Sequence, residues 1–377
     1  MILTGLVAVV GCNSQTLDEA RAIAVADWQK STAALRYKDA KSNFEYGHLE
    51  KAYQKSLQAY QMDPKNPKFA VLFSQVLIER GEYKKAQTEL EYQKDLLPKN
   101  YEINYYLGVA YEKQGLYSAA VASWQAALSV KPGSNDAIRA LAEALFLDGK
   151  PRQAVAFLER KMMNYDPDRG CYEILGRIAL RCKMYDKAIR SFERACSMAP
   201  KKSLYLELLI EVNYAAGKYD SVIGVYQRLL EEKGYNATAI VLQQVGDSYF
   251  AIESFLRAEK LYKKIAKLNP TNIDAQVRLA KVGIATRKWI TAMEYAETAV
   301  HIDPSNIEAV KVLAMTLMSQ RQYKNVVKLL SKHARKSKCD EIYLMLGQAY
   351  AKTGDSRRAS ACIKQAKLIN PELAIAK

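Results

Sequence analysis

Proline recurs along this chain on a 34-residue grid. Pro64, Pro98, Pro132 and Pro200 fall on it, and Asp166 holds the vacant slot with Pro167 beside it. Pro270 and Pro304 follow after a two-residue slip, and Pro371 after a one-residue loss. Proline cannot continue a helix, so a regular grid of stops divides the chain into short helical units of equal size. A length of 377 residues would ordinarily suggest two or three domains. An equal period instead specifies a solenoid in which each unit packs only on its neighbours. No strand-like alternation competes with this pattern, and no long Ser- or Gly-rich linker interrupts it.

The unit starting at residue 101 reads Asn104-x-x-Leu107-Gly108-x-x-Tyr111, then Ala120-x-x-x-Trp124, Ala127 and Pro132. Leu107, Gly108 and Tyr111 share a helical stripe. Gly108 and Ala120 lack bulk, so two antiparallel helices can approach closely there. Gly115 suits the left-handed end of the first helix. The small slot of Gly108 recurs as Ala40, Ser74, Ala142, Gly176, Gly246, Ala280, Ala314 and Gly347, with Ile210 as the exception. Asn66, Asn272 and Asn306 follow the prolines where they can N-cap the next helix. This pattern resembles the tetratricopeptide repeat (TPR), with Asn104 in the usual Trp slot. The resemblance implies an all-α, right-handed superhelical solenoid of about ten helix-turn-helix repeats. They start at 33, 67, 101, 135, 169, 203, 239, 273, 307 and 340, and the solenoid spans 33–373.

The first residues read differently. Met1 to Gly11 are almost wholly apolar, and polar sequence starts abruptly after Cys12. Val9-Val10-Gly11-Cys12 resembles a bacterial lipobox, which implies a signal peptide over 1–11 and a lipid on the Cys12 thiol. No Lys or Arg precedes the apolar run, which departs from that family. Eleven residues are too few to span a bilayer as a helix. Asn13 after the cysteine favours the outer over the inner membrane by the same resemblance. Residues 12–32 would then form the lipidated N-terminus and a leading helix. The capping box Thr16-x-x-Glu19 predicts that this helix starts near Leu17.

The formal charge is +16, from 56 basic and 40 acidic side chains. In TPR proteins the groove is lined by the second, fifth, ninth and twelfth or thirteenth positions of each first helix. Those positions hold nine basic and twelve acidic residues here, net −3, which leaves +19 for the remainder. The groove is mildly acidic and the basic excess lies on convex faces and loops. Groove candidates are Tyr105, Glu112, Arg139, Glu143, Glu173, Arg177, Glu207 and Tyr214. Tyrosine there offers contact area and a hydrogen-bonding tip, which suits peptide contact. The Lys and Asn pair with which one TPR subclass grips a C-terminal carboxylate is missing, since Tyr105/Val109, Arg139/Glu143 and Glu173/Arg177 occupy those positions. A groove without basic excess or aromatic–arginine stacking motifs argues against nucleic acid.

Cys12 apart, five cysteines remain, without C-x-x-C or zinc spacing. Cys171 and Cys196 fall at one end of the same hairpin, where an oxidising compartment would allow them to bond. Cys171 and Cys182 sit about 16 Å apart along one helix and cannot. His48, His301 and His333 are isolated, and every glycine falls on a repeat position, so neither metal, cofactor nor catalytic residue is expected. The reading is a non-enzymatic protein-binding scaffold, tethered in the bacterial envelope and facing the periplasm, with protein or peptide segments in its groove. One alternative binds anionic lipid, polysaccharide or cell-wall polymer on the convex face. The other is a cytosolic TPR adaptor.

Overall fold

A computed structural model describes residues 7–199, 201–334 and 338–372, with side chains from residue 19 onward. Among the described residues the chain is helical throughout, without strands. It forms two compact units, one ending at Ala195 and one starting at Cys196. The first holds α1 (Val7–Glu45), α2 (Leu49–Met62), α3 (Pro67–Glu79), α4 (Tyr83–Leu96), α5 (Tyr101–Lys113), α6 (Tyr117–Val130), α7 (Asn135–Leu147), α8 (Pro151–Asn164), α9 (Arg169–Arg181) and most of α10 (Tyr185–Ser197). The second holds α11 (Ser203–Ala215), α12 (Tyr219–Leu230), α13 (Ala239–Ala251), α14 (Phe255–Leu268), α15 (Ile273–Ala285), α16 (Trp289–Ile302), α17 (Ile307–Ser319), α18 (Tyr323–Ala334), α19 (Asp340–Lys352) and α20 (Ser356–Ile369).

Odd-numbered and even-numbered helices pair as hairpins, and two local devices set them. In seven hairpins the first helix starts at a side-chain cap. Asn66, Asn100, Ser134, Asp168, Thr238, Asn272 and Asn306 each accept a backbone N–H of the first turn. It ends at a left-handed residue followed by a six-to-one hydrogen bond. Such bonds run from Leu116 N–H to Tyr111 O at 2.9 Å and from Met184 N–H to Ala179 O at 2.8 Å. Glycine takes the left-handed position at Gly47, Gly81, Gly115, Gly149, Gly217 and Gly354. Lys183, Glu253, Arg287 and Arg321 take it in the other hairpins, with φ of 58–60°. A side chain with a Cβ is strained there. Glu253→Gly or Arg287→Gly therefore raises stability by about 1 kcal/mol each, read as a higher urea midpoint at unchanged slope. An unchanged or lower midpoint refutes this.

Packing inside a hairpin explains the small slot. A Cβ on Gly108 would lie 2.6 Å from Trp124, on Gly176 2.5 Å from Phe192, and on Gly246 2.6 Å from Tyr262. In hairpins where the slot holds Ala or Ser, the facing residue is small or aliphatic: Ser56, Leu90, Leu158, Ala296 and Leu330, all buried. In these eight hairpins the two positions form one steric unit, glycine with an aromatic ring and alanine or serine with something smaller, whereas Gly347 faces Ile363 and Ile210 departs from the small slot.

The grid prolines have a second role. Their carbonyls at the turn between hairpins receive buried polar side chains. Gln93 donates to Pro64 O at 2.6 Å, Asn104 to Pro98 O at 2.9 Å, and Gln276 to Pro270 O at 3.2 Å. Asn104 thus occupies its slot as a carbonyl cap. His333 Nε2 lies 3.0 Å from Pro304 O in the same role.

Two expectations need correction. α1 begins by Val7 and runs 39 residues through Thr16, so the helix does not wait for the capping box near Leu17. Once a helix is nucleated downstream, each further residue gains a hydrogen bond at little cost. Cys171 and Cys196 are buried and are not joined in a disulfide. The Cys171 thiol instead donates to Asn135 Oδ1 on α7 at 3.5 Å. Burial and then the Asp168 charge push it up to about 12, which keeps the reactive thiolate scarce.

Candidate partner-binding groove

Within each unit, first helices pack side by side: α1 on α3, α3 on α5 and α7 on α9, then α11 on α13, α15 on α17 and α17 on α19. Second helices pack on the first helices before and after them, as α4 does on α3 and α5 in the first unit and α14 on α13 and α15 in the second. The first helices therefore form the tighter, inner face of each unit, and their outward side chains line a groove.

In the first unit, the candidate residues divide into committed and open groups. Arg139 is committed. It pairs with Asp136 and with Asp168, the N-cap of α9, so it joins neighbouring hairpins. Burial works to raise the pKa of Asp168, but Arg139 and the Cys171 N–H outweigh it and hold the carboxyl below its ordinary value. Tyr105 stacks on Tyr101 at 5.8 Å and meets Tyr106 edge-on at 5.2 Å. Its burial lifts the phenol to about 12. Arg177 pairs with Glu173 at 2.9 Å while staying exposed. Glu143 is exposed and open, and Glu112 is half-buried near it. Burial and then the Glu143 charge raise the pKa of Glu112. For an acid the sign is unfavourable: ionisation costs folding stability above the unfolded-state pKa of about 4.3. Glu112→Gln thus raises stability at neutral pH, and the gain vanishes in thermal melts run below pH 4.

In the second unit, side chains join three hairpins at Asp247. Its carboxylate accepts from Tyr214 Oη at 3.0 Å, Tyr262 Oη at 2.6 Å, and Arg278 Nε at 2.7 Å. Burial and then Asp247 lift Tyr214 to about 12. Asp247, Tyr262 and Arg278 line a cavity of about 380 Å³ with Phe250, Asp274, Val277, Lys281 and Glu308. The ladder continues from Lys281 to Glu308 at 2.6 Å, from Glu308 to Lys311 at 3.0 Å, and from Lys311 to Glu341. Glu207 accepts from Tyr235 Oη at 2.8 Å. Sequence reasoning counted Asp247 among the groove acids but missed Arg278, which sits at the sixth helical position, outside the four that the resemblance supplies. A carboxylate and a guanidinium 31 residues apart, close to one period, were the available signal.

No group of three His, Cys, Asp or Glu side chains among the described residues could hold a metal ion. No described helix is long and apolar enough to cross a membrane. The arrangement suits surface recognition along an inner face.

The fold and groove define an all-α solenoid of helical hairpins. Tetratricopeptide-repeat family models match residues 71–128, 175–237 and 340–373, and a model described as anaphase-promoting complex, cyclosome, subunit 3 matches residues 113–195. The chain is a tetratricopeptide-repeat protein. It is 26% identical over 151 residues to lipopolysaccharide assembly protein B of Escherichia coli, covering 38% of this chain and 39% of that protein. It is 24% identical over 206 residues to a BBSome complex member BBS4 homolog of Drosophila melanogaster, covering 52% and 40%. The chain thus spans about two fifths of the length of these relatives. A solved tetratricopeptide repeat protein from Parabacteroides merdae shares 15% identity at a TM-score of 0.46, covering 67% of this chain and 99% of that one.

Proposed function

We propose that this protein is a non-enzymatic scaffold that holds peptide segments of other proteins along its first-helix groove. The observation that carries the reading is the division of the groove. Asp247, Arg278 and Arg139 are spent on joining hairpins, whereas Glu143 and Arg177 face solvent beside half-buried aromatic and carboxylate side chains. That combination presents charge and aromatic area on a pre-organised surface. The name of the Escherichia coli relative supports a place in envelope assembly or export. The lipobox-like Val9-Val10-Gly11-Cys12 supports a signal peptide over 1–11, lipidation at Cys12 and an outer-membrane tether facing the periplasm. The Cys12 side chain lies outside the described residues.

Two variants test the reading. Glu143→Lys with Arg177→Glu reverses two solvent-exposed groove charges. It lowers recovery of proximity-labelled partners at least ten-fold while the melting temperature stays within 2 °C, about the shift of a small surface effect. Unchanged recovery places the binding face elsewhere. Cys12→Ala moves the protein from the membrane to the soluble fraction, and continued membrane association refutes the tether.

A second reading rests on α18, whose Lys324, Lys328 and Lys332 are exposed along one helical face. Such a stripe suits anionic polymer or lipid headgroups. Binding through it falls about ten-fold or more between about 50 and 200 mM salt, whereas groove-held peptide survives.

A further inference from the structure

The repeats act as controls for one another, and one position stands out. The second residue of every second helix points to solvent. In eight hairpins it is polar or charged: Glu50, Lys84, Ser118, Arg152, Asp186, Asp220, Lys324 and Arg357, all exposed. In two consecutive hairpins it is apolar instead. Leu256 on α14 is 74% exposed and Ile290 on α16 is 78% exposed. Ile252, at the end of α13 just before Leu256, adds a third open side chain at 40%. These two helix starts are neighbours, since Lys288 before α16 reaches Glu259 on α14 at 3.3 Å. Nothing in the hairpin requires an aliphatic residue there, because the other hairpins fold with lysine, aspartate or serine. Exposed apolar area that the fold does not use, gathered in adjacent repeats, points to a partner.

The rim states what that partner carries. Arg257, Lys260, Arg287, Arg321 and Lys324 stand exposed on these turns, helix starts and the next one along, against two exposed carboxylates, Glu253 before Leu256 and Glu294 one turn after Ile290, so the rim is basic on balance. Glu259 is taken by Lys263 at 2.6 Å and by Lys288. A second copy of this chain would bring a net charge of +16 against a basic rim. A flat anionic membrane would meet exposed Glu294 and Glu297, one and two turns along the face that Ile290 begins. A narrow polypeptide running across the turn edge avoids both.

We propose that the turn edge of α13–α16, centred on Leu256 and Ile290 and separate from the groove, docks a partner protein's amphipathic segment whose apolar side chains are flanked by Asp or Glu.

The test places a photo-crosslinking p-benzoylphenylalanine at Leu256 or Ile290 in the full chain, in the cells that express it. Lys84 and Asp220, the matching positions of other hairpins, serve as controls. The proposal expects an adduct at 256 and 290, none at 84 and 220, and a cross-linked partner peptide with apolar residues bracketed by carboxylates. Leu256→Lys with Ile290→Lys then cuts the adduct formed from a probe at Ile252 at least ten-fold, at an unchanged melting temperature. An adduct equally strong at the control positions overturns the proposal. So does no adduct at 256 and 290, an adduct to a second copy or to lipid, or a partner peptide without acidic flanks.

Discussion

Gly176→Ala lowers the urea midpoint of the first unit by the equivalent of about 2 kcal/mol, and Phe192→Leu in the same chain restores most of it. The added Cβ lies 2.5 Å from the Phe192 ring, which is fully buried and has no free volume to enter. Overpacking of this kind costs about 1–3 kcal/mol. Phe192→Leu alone leaves a void and costs about 1 kcal/mol or more. Together the two changes reproduce the Ala142–Leu158 pairing of the preceding hairpin, so the double variant lies well above the sum of the singles. The coupling is about 2 kcal/mol, within the range for residues in direct contact. Gly224 is the control: it sits in α12 with nothing within 4 Å of a Cβ. Gly224→Ala gains about 1 kcal/mol from helix propensity alone. If Gly176→Ala behaves like Gly224→Ala, the steric account of the small slot is wrong.

The same pairing shows what was legible in the sequence. The small slot at Gly108, Gly176 and Gly246 stood out by period, because a glycine inside a helix is costly unless something presses on it. Its correlation with Trp124, Phe192 and Tyr262 was equally present in the letters, but it emerges only once the hairpin brings positions 16 residues apart into contact. The turn was legible where glycine marks it. It was hidden at Lys183, Glu253, Arg287 and Arg321, because these residues adopt the left-handed conformation under compulsion from the flanking helices. The groove was half legible. Helical position says which side chains face inward and nothing about which are already engaged. Arg139 and Arg177 read as equivalent open cations, yet one is tied to the α9 cap and the other stays exposed. The Cys171 and Cys196 pairing failed for a related reason. Being at one end of a hairpin does not fix where each thiol points, and Cys171 packs against the preceding repeat.

Asp247→Ala has the largest expected effect in the second unit, about 3 kcal/mol. It removes the shared acceptor of three donors on three hairpins. The Tyr262 side chain is 1% exposed, so its hydroxyl loses its partner where water does not reach, at about 1–3 kcal/mol. Arg278 loses its close carboxylate while its side chain is only 22% exposed and keeps only the looser Asp274 contact at 3.9 Å, which adds to the loss. Asp247→Asn keeps an acceptor oxygen and removes the charge, so it falls between wild type and Asp247→Ala. Stability in a repeat array is a sum of hairpin terms and neighbour terms. Removing a node between neighbours therefore lowers the midpoint and also broadens the urea transition, seen as a smaller slope. Lys281→Ala is the comparison. Its pair with Glu308 joins neighbouring first helices in the same way, but the two side chains are 39% and 45% exposed, so solvent screens the charge and the loss stays below about 1 kcal/mol. If the two variants cost the same, burial is not what makes Asp247 the joint of the second unit, and the groove is held by its ion pairs alone.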